Sequence, residues 1–395
     1  MNTMKADMAV PRHNGASHRR LRFFFNLSRL DFSKNLGVMS FARRLAQYLG
    51  RVSDVAVVIP SDVPMCREHF AFLPGAEVLR EGGAHFSGIE ILAHHFQIPL
   101  TGCPRISIFH DLHIFEMAWK YARSKYLLQT FVRNAAASDV LVTEFPRVFF
   151  DLPRVVPETT NSLLLISSPP LEVTGFSGDG DLPDGFGSKR FLYYPSQLQE
   201  HKNHANLIRA LKYLPNEFED LVLVFTGSEA ANNAGWARLQ CLAAQEGVGN
   251  RVYYLGYVSK AVQERLFHSC LAVACPSLAE GGAYVAIEAI LRGKAAIASN
   301  IRAILLHLGR YGLEVDQFDP YSPAEIAATI TRVIARNSPI QQSSSSLAAI
   351  NAETWERAAS QVLRIAEWLL DGKRDSICKI QRELNVDARH QEDPS

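Results

Sequence analysis

No stretch of this chain approaches the roughly 18 consecutive apolar residues that a membrane-spanning helix needs, so none is expected to cross a bilayer. The first twenty residues, MNTMKADMAVPRHNGASHRR, lack the apolar core of a secretory signal. The six cysteines, Cys66, Cys103, Cys241, Cys270, Cys275 and Cys378, form no CxxC pair and no metal-ligand spacing. Such usage in a long chain points to a reducing compartment, and the protein is expected in the cytoplasm. Excess charge is missing too: 41 Lys and Arg stand against 40 Asp and Glu. Duplex-binding proteins usually carry a basic excess, so nucleic acid is not expected as the partner. No Gly-x-Gly-x-x-Gly follows an apolar run, which speaks against a dinucleotide oxidoreductase. No Asp-x-Asp pair or His/Asp cluster follows a predicted strand, so neither metal nor cofactor is expected.

What is present is an alternation of short apolar runs with helical patterns, over 395 residues. That length suits two domains, and the alternation predicts parallel sheets covered by helices, an α/β class. In the first half, strands are expected at 21–26, 55–60, 106–109, 140–143 and 163–166. The Gly-, Asp- and Pro-rich stretch GFSGDGDLPDGFG (175–187) reads as a linker. Beyond it the strands FLYYPS, LVLVFTG, VYYLGY, LAVACPS and AAIAS each lead into a helix, a doubly wound arrangement. The segment ETWERAASQVLRIAEWLL (353–370) has a helical apolar stripe and is free to cross back to the first domain. The expected organisation is a disordered arm at 1–20, one Rossmann-like domain at 21–180 and a second at 188–350. A crossing helix at 351–372 and a fraying tail at 373–395 complete it.

Ligands of open α/β sheets sit beyond the carboxyl ends of the strands. The residues there are therefore the candidates: His110-Asp111, Gln197, His201-Lys202-Asn203, Gly227 and Glu280-Gly281-Gly282-Ala283. Lys202, beside a helix start, suits a diphosphate by charge and by backbone N–H groups. An exposed lysine with Asn203 as helix N-cap fits the same spacing. Glu280 and Glu288, eight residues apart, lie within about 12 Å if the stretch is helical. That span suits a nucleotide sugar, with one carboxylate on the sugar and one on the ribose; an acidic cap and a paired helix charge fit equally. The two glycines admit a ligand close to the backbone, and the helix behind them is an anion site. His110 is either a structural histidine or a functional one oriented by Asp111.

Those residues carry a family resemblance. YPSQLQEHKNHANLIRAL (194–211), LVFTGS (223–228), VYYLGYVS (252–259) and PSLAEGGAYVAIEAILRGKAAIASN (276–300) resemble the retaining GT-B glycosyltransferases of the family-4 type, glycosyl transferases group 1. HDL (110–112) and NLGVMSFARRLAQYL (35–49) extend the likeness into the first half. The resemblance implies a GT-B fold of two Rossmann-like domains facing a cleft. It implies retaining transfer of a hexose from a nucleotide-diphosphate sugar, GDP-mannose or a similar donor, to a glycan or lipid-linked acceptor in surface polysaccharide or lipopolysaccharide synthesis. Carried over by position, Lys202 binds the diphosphate, Glu280 faces the transferred sugar and Glu288 the ribose. His110 stands near the reacting carbon, and the loop at Gly37 closes on the phosphates. Gln197, Gly227, Gly281, Gly282 and Ala283 complete the donor site. This chain departs from the pattern at Gln197, where relatives often carry Arg, at Gly282-Ala283, where they often read Phe-Gly, and at Leu36-Gly37, where they have two glycines.

The segment WKYARSKYLLQTFVR (119–133) mixes Lys120, Arg123, Lys125 and Arg133 with aromatic residues. It fits a helix lying on an anionic membrane, on the inner face of the cytoplasmic membrane, and fits an ordinary core-packed helix as well. Two other functions remain open at this point: a catalytically silent GT-B scaffold or binding subunit, and another GT-B enzyme such as a nucleotide-sugar epimerase.

Overall fold

A computed structural model of the chain describes residues 21–28, 37–62, 73, 76–82, 86–117, 124–169, 182, 186, 189–228, 234–372 and 377–384. The expected arm at 1–20 and most of the 175–187 linker lie outside these residues. The first sheet holds β1 (Arg22–Asn26), β2 (Asp54–Ile59), β3 (Glu77–Arg80), β4 (Ile89–Leu92), β5 (Arg105–Ile108), β6 (Val140–Thr143) and β7 (Leu163–Leu165). Its order is β3-β2-β1-β4-β5-β6-β7, parallel throughout. The second holds β8 (Phe191–Pro195), β9 (Val222–Thr226), β10 (Val252–Tyr254), β11 (Ala272–Cys275), β12 (Ala295–Ser299) and β13 (Asp316–Phe318). Its order is β10-β9-β8-β11-β12-β13, again all parallel. The fold is GT-B: two doubly wound α/β sheets joined in one chain. Strands such as RFFFN and FLYYP are apolar without alternation because helices cover both faces.

Each order reverses once, between β1 and β4 and between β8 and β11. At such a reversal the flanking loops part and leave a crevice at the carboxyl ends. The second reversal is bordered by the loops that carry Lys202 and Glu280. Sequence patterning missed β3, β4 and β13. The short strand β4 (IEIL) carries an acid in its middle, Glu90, which is fully buried. That carboxylate accepts from the Asn26 amide at 2.7 Å, the Leu100 N–H at 2.8 Å and the Thr101 hydroxyl at 2.9 Å. Burial of a charge is tolerable only with such partners, and without them in view the strand does not look like one.

The helix Trp355–Leu370 starts at Thr354, whose hydroxyl accepts from the Arg357 N–H. Its buried stripe, from Trp355 through Ala359, Val362, Ile365 and Leu369, joins the core of the first sheet, with Phe23, Phe25, Phe41 and Leu45. Fraying of the whole tail beyond 373 is not what the structure has. A further helix, Ile377–Glu383, buries Ile380 and Leu384 in the same core, and the Gln381 amide bonds both backbone groups of Leu165. A helix of seven residues is too short for its pattern to be read, and tertiary contacts hold it. Among the described residues no helix is long and apolar enough to cross a membrane.

Because Trp355 stacks edge-on against Phe41 at 5.3 Å, the end of the chain stabilises its beginning. Trp355→Ala is expected to cost about 3–5 kcal/mol, read by denaturant unfolding. A change below about 0.5 kcal/mol, as for a surface site, would show that the helix is only draped over the first sheet.

Candidate functional site

At the second reversal the Lys202 ammonium donates to the Glu280 carboxylate at 2.6 Å, and the Ser277 hydroxyl donates to the same oxygen at 2.7 Å. Local structure brings these three together. Residues 200–202 form a short 3-10 turn after β8, and Asn203 closes it in the left-handed region, φ 59°. The expected N-cap role of Asn203 is not seen. Its amide instead donates to the carbonyls of Pro276 and Pro320, both at 2.8 Å, and ties the Lys202 loop to the loop after β11. Tyr194, buried in β8, lies 3.0 Å from the Ser277 hydroxyl and donates to the Lys202 carbonyl at 3.1 Å. Lys202 and Glu280 each keep about a fifth of their side chains exposed, at 21 %.

The first domain presents a histidine-rich wall opposite. His110 follows β5 and is buried. Its Nδ1 meets Glu144 at 2.5 Å and its Nε2 meets the Ala93 carbonyl at 2.8 Å. Asp111 therefore does not orient His110, as the sequence suggested. Glu144, the residue after β6, does so, and both ring nitrogens are occupied by protein groups. Burial disfavours charge on His110, but the adjoining Glu144 carboxylate outweighs it and raises the pKa. Asp111 pairs with His113. His113 lies nearly parallel to His201 of the second domain, with centroids 5.3 Å apart and planes at 16°.

The glycine loop is where the two domains touch. A Cβ at Gly281 would stand 1.9 Å from the His110 carbonyl oxygen, and one at Gly282 would stand 2.5 Å from the Phe145 ring. Both glycines are needed because the domains meet there without room for a side chain. The sequence places an anion site at the start of the helix behind these glycines, but the Ala283 N–H does not contribute to one. That N–H donates to Nδ1 of His307 at 2.9 Å, and the Ala283 side chain is buried. His307 then carries its proton on Nε2, which faces the Ser168 hydroxyl at 3.1 Å. Burial, with Arg310 nearby, pushes the His307 pKa down to about 3, so the ring is neutral and suited to accept. Arg310 donates to the carbonyls of Glu144 and Ile166 and pairs with Glu353 at 3.3 Å, which fastens the same seam.

The Gln197 amide donates to the Ser228 hydroxyl at 3.0 Å and accepts from Gln199 at 2.9 Å. Gly227, at φ 126°, would put a Cβ 2.6 Å from the Ser196 carbonyl, so the loops after β8 and β9 touch there. Glu288, half-buried on the helix Tyr284–Leu291, lies close enough for its charge to act on Tyr193, Cys275 and Arg292. Gly37 opens the helix Gly37–Leu49, while the loop before it, 29–36, lies outside the described residues. Lys120 and Arg123 of the basic aromatic segment lie outside them too. The helix Ser124–Ala136 buries Phe131 and Ala135 and exposes Lys125, Tyr126 and Arg133. Among the described residues no group of three or more His, Cys, Asp or Glu is placed to hold a metal ion.

Sequence reasoning did not single out Ser277, His113, Glu144, Phe145 or His307. Ser277 stands three residues before Glu280, and His113 three after His110, spacings that put side chains on one side of a turn. Glu144 meets His110 from 34 residues away, and Phe145 and His307 make contacts across the two domains; no local pattern reports either.

The seam gives a direct expectation. Gly281→Ala must push the His110 backbone away, at a cost of about 1–3 kcal/mol, and should loosen the contact between domains. Thermal unfolding and proteolysis between 169 and 189 would detect both effects; an unchanged melting temperature and cleavage rate would mean that the contact is slack.

Residues 184–348 match the family described as glycosyl transferases group 1. No curated protein sequence matches the chain. Among solved structures, a sucrose-phosphate synthase from Thermosynechococcus elongatus is similar, with a TM-score of 0.67 at 14% identity, covering 89% of this chain and 100% of that one. HepE of Anabaena, solved in complex with UDP and glucose, has a TM-score of 0.61 at 16% identity, over 92% of this chain and 98% of its own. WaaG, a glycosyltransferase involved in lipopolysaccharide biosynthesis, has 0.60 at 13%, over 87% and 99%. At such identities the likeness establishes the GT-B fold. The segment 184–348, which holds the Lys202–Glu280 pair and the second reversal, belongs to the glycosyl transferases group 1 family.

Proposed function

We propose that this protein transfers a hexose from a nucleotide-diphosphate sugar to a glycan or lipid-linked acceptor, with retention of configuration. One observation carries the reading. The ammonium of Lys202 and the carboxylate of Glu280 meet at 2.6 Å, part-exposed, at the strand-order reversal of the domain that matches the glycosyl transferases group 1 family. A cation and a sugar-binding carboxylate in contact are what a donor needs where its diphosphate joins its sugar. In the free protein the pair neutralises itself. On donor binding, the diphosphate displaces Glu280 from Lys202, and Glu280 turns to the sugar hydroxyls with Ser277 beside it. Glu288 reaches the ribose.

The reaction then runs on the face that the diphosphate leaves. The bond from the anomeric carbon to the phosphate oxygen breaks. The acceptor oxygen bonds to that carbon, and its proton passes to the departing diphosphate. Lys202 meets the negative charge that grows on the leaving oxygen. The Ala283 N–H takes no part, being held by His307. His110 contributes through its backbone, against which Gly281 sits, rather than through its ring. An acceptor in lipopolysaccharide synthesis is in keeping with the WaaG likeness, and a nucleotide-hexose donor with HepE, which was solved with UDP and glucose.

Lys202 and Glu288 should fail differently. Losing a contact to developing charge typically lowers turnover on the order of 100-fold, so Lys202→Ala should reduce kcat. Ribose contacts are alike before and during reaction, so Glu288→Gln should raise KM more than it lowers kcat. Steady-state kinetics with UDP- and GDP-sugars reads both, and normal turnover by Lys202→Ala would refute this placement of the diphosphate. The same assay should proceed in excess chelator; activity lost there and restored by Mg²⁺ would refute metal-independent transfer.

A further inference from the structure

The charges around the donor site do not balance. The diphosphate of a nucleotide sugar carries two negative charges. Of the loops at the reversal, 196–203 and 276–283, only one lysine or arginine is present, Lys202, and Glu280 already sits on it. A second cationic donor to the diphosphate can come from the first domain, which among the described residues brings a histidine to this side of the cleft. His113 is paired with Asp111 and lies flat against His201, the residue before Lys202. Lys202 and Glu280 are near enough for their charges to act on its ring. We propose that His113, paired with Asp111 and stacked on His201, is a second cation for the donor diphosphate, reaching it from the first domain opposite Lys202. This rests on the transferase reading and deepens it: the donor is gripped from both domains, so binding itself holds the cleft together.

The neighbouring groups favour that role. Burial works against charge on His113, but the Asp111 carboxylate, by its charge and its hydrogen bond, outweighs it and raises the pKa. His201 is pushed down to about 2, first by burial and then by Lys202, so the partner in the stack is neutral and does not repel. His94 is lowered to about 4 and His95 well below its ordinary value, both chiefly by burial. Lys202 and Glu280 face His113 from the second domain, and His110 is raised by its own pairing with Glu144. A histidine with a raised pKa holds its charge at low pH and loses it as pH rises through that value. Donor affinity contributed by His113 is therefore full toward acid pH and falls on the alkaline side.

The test is equilibrium binding of UDP and of GDP to the full chain between about pH 7 and about pH 9, a range in which their own terminal phosphate, with a pKa of about 6, is already ionised. His113→Gln should weaken binding on the order of 10-fold at the lower pH, as for loss of one hydrogen bond to a charged group. It should also flatten the alkaline decline expected of the wild type. His113→Arg should restore affinity and leave it level across the range. Asp111→Asn should move the decline to lower pH. Wild-type-like binding by His113→Gln at every pH would overturn the inference while leaving the transferase reading intact. If His113→Gln does not fold, His113→Arg decides: a persisting decline assigns the titration to another group, His110 foremost, and overturns it. Failure of the wild type to bind either nucleotide would overturn both.

Discussion

Contact without space for a side chain sets the distance between the two sheets. Gly281 lies against the carbonyl of His110, and Gly282 against the ring of Phe145. The neighbouring groups serve that contact. Glu144 holds the His110 ring, His307 accepts the Ala283 N–H, and Arg310 binds two carbonyls of the first domain. With the seam fixed, the loops after β5, β8 and β11 have a fixed spacing. Lys202 and Glu280 are then brought opposite Asp111 and His113, so the site is a consequence of the seam and not an addition to it.

Polar groups in this seam are buried, and burial costs free energy unless each finds a partner. Ser168, His307 and Tyr284 meet this condition among themselves, with 3.0 Å and 3.1 Å contacts. Such networks favour one arrangement over others because a shifted arrangement leaves donors unmatched. By contrast the Lys202–Glu280 pair is part-exposed, where an ion pair is weakly held and readily exchanged for a ligand. The domain contact is thus built to stay, and the Lys202–Glu280 pair is built to change partners.

The apolar runs FLYYP, VLVFT and AVAC are strands as read, and the stripe of 355–370 is a helix as read, since each has a strong period and clear boundaries. The segment IEIL was not legible because Glu90 interrupts it and its partners come from residues 26 to 105. The same holds for the site. Lys202 and Glu280 follow strand ends, so position alone brought them into view. Glu144 and His307 were invisible because their partners, His110 and Ala283, are 34 and 24 residues away. Asp111 was given to the wrong histidine: adjacent side chains in an extended segment point apart, and His113 two residues on is the one it meets.

The central claim is that one ammonium serves two anions in turn, Glu280 in the free protein and the donor's diphosphate in the complex. A crystal structure with a nucleoside diphosphate bound tests it most directly. The account predicts that Nζ of Lys202 moves from Glu280 to a phosphate oxygen, at the crevice between β8 and β11. A nucleotide bound elsewhere on the second domain, for instance in the groove of about 470 Å³ lined by Asn206, Arg209 and Arg238, with the Lys202–Glu280 pair unbroken, would contradict it.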